Sequence, residues 1–104
     1  MFGMSTYKKL KRIDKKFEEL FYYIQEESLT KDLLERYFLS IKTQLKDTNP
    51  QIFQIKSIKL HKKLNKKLNC LISIKNKIDM ALKEKKILNE ILSEFKYKDI
   101  NCLE

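Results

Sequence analysis

One glycine and one proline, Gly3 and Pro50, punctuate a chain of 104 residues. A sheet protein of this size needs a turn signal every ~8–12 residues, so an all-β fold is excluded and the apolar pattern has to be read at helical period. Apolar residues make up 42% of the chain and aromatics 11%, enough for a buried core and too many for a disordered segment. One helical domain over residues 1–104 is expected, with a short flexible tail at about 99–104.

The first stripe is the clearest. Leu10, Ile13, Phe17, Leu20 and Ile24 recur at alternating spacings of three and four, with Phe21 beside them, which places one apolar face on a helix. A second stripe runs Leu33, Leu34, Tyr37, Phe38, Ile41 and Leu45, after hydroxyls at Ser28 and Thr30 suited to capping. It ends in Asp47-Thr48-Asn49-Pro50, where Asn49 is expected as N-cap and Pro50 as first residue of a third helix. No breaker follows for nearly fifty residues. The weakest helical stretch is 72–79, rich in β-branched and backbone-competing residues, and a break is expected there. The expectation is an all-α fold, a small antiparallel bundle of four helices at about 6–27, 30–47, 50–74 and 79–97. The alternative is three helices with a long, protruding last helix through which the chain dimerises.

The formal charge of +9 is unevenly spread: residues 50–80 carry +7, residues 1–30 and 31–49 carry +1 each, and residues 81–104 carry none. On a helical wheel Leu60, Leu64, Leu68, Leu71, Ile78 and Leu82 share one side, while Lys56, Lys59, Lys62, Lys63, Lys66 and Lys67 fan over the other. Such a face suits nucleic acid or an anionic membrane surface, with salt-sensitive affinity. Only Arg12 and Arg36 are available for guanine readout, and no aromatic lies between Phe53 and Phe95 for base stacking. Membrane binding by that helix would compete with burial of its apolar side in the bundle.

Catalytic groups are not assembled by the sequence. His61 is the only histidine, it stands in the lysine run, and no Asp, Glu or Cys occupies a position three or four residues away. Cys70 and Cys102 lie too far apart in sequence for a metal motif. One glycine cannot build a phosphate-cradling loop. No enzyme activity, cofactor or metal is therefore expected. The longest apolar runs are far below the ~20 residues of a membrane span. Without a secretory signal pattern, the chain reads as cytoplasmic with both cysteines reduced.

Phe21, Tyr22 and Tyr23 are consecutive, and three neighbours on a helix cover about 200° of its circumference. At least one must leave the core, so Tyr22 and Tyr23 are candidate contacts for a protein partner. The expected function is a non-enzymatic interaction module of adaptor, chaperone, inhibitor or immunity type that binds another protein, or a second copy of itself, through a helix face. In length, lysine-rich charge and the stretch Asn49-Pro50-Gln51-Ile52, the chain is similar to the immunity proteins of the pediocin-like bacteriocin type. The resemblance rests on those features alone, transfers no site residue, and implies a helical chain that acts by binding.

Overall fold

The computed structural model describes residues 5–104, so Gly3 lies outside it, and every regular element among those residues is helical. α1 runs Thr6–Gln25, α2 Lys31–Asp47 and α3 Ile55–Lys83; α4 (Leu88–Glu94), α5 (Tyr97–Ile100) and a 3-10 turn at Asn101–Leu103 complete the chain. The side chain of Ser5 accepts the Lys8 N–H at 3.2 Å and that of Thr30 accepts the Leu33 N–H at 3.1 Å, so both hydroxyls start their helices. None of these helices is long and apolar enough to cross a membrane.

α1 and α2 pack antiparallel, and both lie along α3. With 29 residues α3 spans about 43 Å, which sets the long axis of a molecule measuring 48 × 24 × 20 Å. The break expected across 72–79 does not occur. Ile74 and Ile78 are buried in the core, and that burial outweighs the weak helix propensity of β-branched residues. Lys75 also ties the region together, with Nζ 3.0 Å from Asp79 Oδ2 one turn on and 3.3 Å from Glu35 Oε1 on α2.

The chain turns instead at residues 84–87, and it does so without glycine. Lys85 takes φ 66°, its N–H donates to the Leu82 carbonyl at 3.0 Å, and the Lys86 N–H donates to that of Ala81 at 3.2 Å. α1 ends the same way, with Glu27 at φ 54° and the Ser28 N–H on the Tyr23 carbonyl at 2.9 Å. Paired bonds of this kind satisfy the last carbonyls of a helix, at about 1–2 kcal/mol for a left-handed residue that carries a Cβ.

The third helix also starts later than Pro50. Thr48 Oγ1 donates to the Gln44 carbonyl at 2.7 Å and Asn49 Nδ2 to that of Lys46 at 3.2 Å, so these two side chains finish α2 and do not open α3. Residues 48–54 form the connection.

The core is aliphatic around Phe17, with Leu10, Ile13, Leu20, Leu34, Ile41, Leu64, Leu71 and Ile78 sealed from solvent. The expected flexible tail completes it. Ile100 and Leu103 are buried, and the 3-10 turn packs against both α1 and α3. Cys102 is disulfide-bonded to Cys70 of α3, the Cα atoms 6.2 Å apart. This pairing stands against the expectation of reduced cysteines.

Candidate functional site

The buried side of α3 reads 60, 64, 67, 71, 74, 78, a heptad alternation that places a lysine among the core positions. Lys67 is therefore not part of the lysine face. Its Nζ lies 2.7 Å from Asp14 Oδ1 of α1, 2.8 Å from the backbone oxygen of Glu104 and 5.9 Å from the centroid of the Phe17 ring. The two side chains retain only 6% and 9% of their exposure. Desolvating both charges is costly, and the short contact together with the second acceptor offsets that cost. Three segments distant in sequence are thus tied at one level of the bundle, beside the disulfide.

Lys56, Lys59, Lys62, Lys63 and Lys66 stay exposed as the sequence predicts. His61, within the same run, is half-buried with Asn65 Nδ2 3.2 Å from its Nδ1. At about 100° per residue, Ile55, Lys59, Lys62 and Lys66 fall within about 60° of one another, on the side of α3 opposite the core.

At the head of that stripe stands an apolar group that sequence reasoning missed. Ile52 is 91% exposed, Phe53 75% and Ile55 64%. Extended back by one heptad the α3 register would bury Phe53, but the helix begins only at Ile55, so Phe53 sits in the preceding turn. The later start frees Phe53 and leaves Ile52 in the connection, while Ile55 is exposed by its phase on α3, opposite the core.

Lys9 and Arg12 of α1 line one surface cavity with Gln44, Asp47 and Thr48, which places the first turns of α1 beside the end of α2. The Asp14–Lys67 contact aligns α1 with the first half of α3. Residues 5–17, 42–47 and 48–66 therefore share one half of the molecule and hold thirteen basic residues against two acids, Asp14 and Asp47, with Glu104 reaching its inner boundary through Lys67. The remainder of the chain holds ten basic residues and twelve acids.

The tyrosines lie toward the other half. Tyr22 is 57% exposed, and Tyr23 is half-buried between the rings of Tyr22 and Tyr37, both edge-on with centroids 6.1 Å away. Tyr37 of α2 donates its hydroxyl to Glu19 Oε2 at 2.6 Å. The carboxylate that accepts this proton, aided by burial, holds the Tyr37 phenol well above its ordinary range. Lys15, Glu18, Glu19, Tyr22 and Tyr23 line a surface groove of about 220 Å³. Of the two candidates, Tyr22 is the free ring and Tyr23 its support.

No family model matches the chain, and no curated protein or solved structure is significantly similar to it.

Proposed function

We propose that the chain is a non-enzymatic helical interaction module that binds a partner protein through the α1 face centred on Tyr22 and Tyr23. The exposed Tyr22 ring, which lines a groove edge-on to Tyr23 with Tyr37 behind that second ring, is the observation that carries this reading. A tyrosine has few torsions to freeze, and its ring buries a large area, so a preset ring is a strong anchor. Glu18 and Glu19 beside the ring favour a partner segment that brings a cationic side chain to the groove. A second copy of the chain is one form such a partner can take.

A photo-crosslinking residue at position 22, with one at the exposed Leu39 on α2 as control, tests the reading in the native host. The partner is expected to crosslink from position 22 only, and its capture by affinity pull-down is expected to drop about tenfold or more with Tyr22→Ala plus Tyr23→Ala. Equal recovery with and without the two tyrosines rejects the reading. Light scattering on the purified chain separates a second copy from a foreign partner.

A further inference from the structure

The basic half of the molecule ends in Ile52, Phe53 and Ile55, three of its most exposed apolar side chains, and nothing described in the fold covers them. We infer that this end docks on an anionic phospholipid bilayer, with the three apolar side chains entering the headgroup boundary and the α3 lysines meeting lipid phosphates. The inference does not rest on the tyrosine face.

Two independent properties coincide here. Apolar exposure is clustered at the tip, and the cations lie immediately behind it: Lys56 and Lys59 stand within about 6 Å of Ile55 along the helix axis. Insertion of an apolar group to about 5–10 Å therefore brings both ammonium groups to headgroup depth. Lys62 and Lys66 continue the same stripe, so a tilted α3 lays further charge on the surface. Earlier competition between membrane binding and core packing does not arise, because the inserting residues precede the buried stripe of α3 and Leu64, Leu71 and Ile78 remain in the core. Nucleic acid explains the lysines but leaves Ile52 and Ile55 without a counterpart, since a sugar–phosphate backbone offers no aliphatic pocket. An acidic protein would have to supply a matching groove. A bilayer supplies both the charge and the apolar phase without any specific contour.

The chain contains no tryptophan, so Phe53→Trp places a single tryptophan at the tip, excited selectively beyond the tyrosine absorption band. Its emission is expected to shift to the blue on vesicles of phosphatidylcholine mixed with phosphatidylserine, to return at high salt, and to stay put on pure phosphatidylcholine vesicles. In co-sedimentation with the mixed vesicles, Lys56→Gln plus Lys59→Gln is expected to weaken binding about 30-fold, at roughly a tenfold step or less per lysine. Ile52→Ser plus Ile55→Ser, which leaves the charge unchanged, is expected to weaken it about tenfold. All these positions are exposed, and far-ultraviolet circular dichroism confirms the fold of each variant. The absence of a shift on the mixed vesicles overturns the inference. So does undiminished binding by Ile52→Ser plus Ile55→Ser, which would reduce the effect to charge attraction alone. A shift produced by a nucleic-acid duplex, with the vesicles inert, transfers this end to nucleic acid and likewise overturns it. Tyr22→Ala plus Tyr23→Ala is expected to leave vesicle binding unchanged, so the two readings fail separately.

Discussion

Lys66 and Lys67 are neighbours on α3 and belong to different parts of the molecule. Lys67 is enclosed with Asp14, Phe17 and the backbone of Glu104, next to the disulfide that joins α3 to the C-terminal turn. Lys66 faces outward on a stripe that leads to an uncovered apolar tip. Residue type is the same in both regions, and one step of helical phase decides whether the cation is structural or available. The mid-level holds the bundle together through buried contacts, while the tip exposes what a stable fold would ordinarily hide.

Substitution at the two lysines breaks or sharpens that comparison most. Lys67→Met is expected to lower unfolding free energy by about 3–5 kcal/mol, because Asp14 is left buried without a cation, whereas Lys66→Met changes it by less than about 0.5 kcal/mol. Urea denaturation followed by circular dichroism reads both. Replacing the pair by apolar residues, Asp14→Leu with Lys67→Met, is expected to recover most of the loss. A Lys67→Met protein as stable as the parent would remove the distinction.

The covalent tie at the same level is the next test. Cys70→Ser plus Cys102→Ser is expected to cost about 2–4 kcal/mol, through the greater freedom of an unfolded chain no longer closed across 32 residues. Reduction of the parent protein by a dithiol should give the same shift in urea midpoint, and the serine variant should ignore the reductant.

A smaller effect belongs to the aromatic patch on α1 and α2. Glu19 accepts the Tyr37 hydroxyl and raises that phenol's pKa in the fold, while the unfolded chain titrates near the ordinary value of 10.0. Stability from this bond is therefore fully present below about pH 10 and is lost as pH rises further, because the unfolded state releases its proton first. Lys75, whose pKa the Asp79 carboxylate raises, loses its contribution in the same direction above the ordinary 10.5. Melting temperatures measured from about pH 9 to 11 should fall more gently in Tyr37→Phe than in the parent, without becoming flat. At the tip the expected effect is smallest: Ile52→Ser plus Phe53→Ser should leave the melting temperature within the range of about ±0.5 kcal/mol of stability. Appreciable destabilisation there would mean the apolar tip is packed, and the contrast with the mid-level would collapse.

Much of the architecture was legible in the residues. α1 and α2 were placed to within two residues at each end, because their stripes are regular and Thr30 supplies a local cap for α2. α3 was harder, since its register, not its composition, carries the information. Counting hydrophobic positions alone favoured Leu68 over Lys67, whereas the alternation 60, 64, 67, 71, 74, 78 shows the lysine to be enclosed. The turn at 84–87 gave no local sign, because the left-handed position is filled by Lys85 where glycine is the usual marker. The disulfide depends on the chain folding back along α3, a tertiary event that the separation of Cys70 and Cys102 does not encode. The exposure of Tyr22 follows from crowding on one helix, but that of the tip does not, since Pro50 suggested a helix through Ile52 and Phe53.

Segregation of basic residues to one half of a 48 Å body makes the molecule an electric dipole. Near any charged object it experiences a torque before it experiences contact, within a distance set by the Debye length of about 8–10 Å at ordinary ionic strength. Orientation is thus selected during approach, with the positive pole leading toward a negative surface. Between copies the net charge of +9 opposes approach most strongly in dilute salt, and added salt relaxes that repulsion by screening.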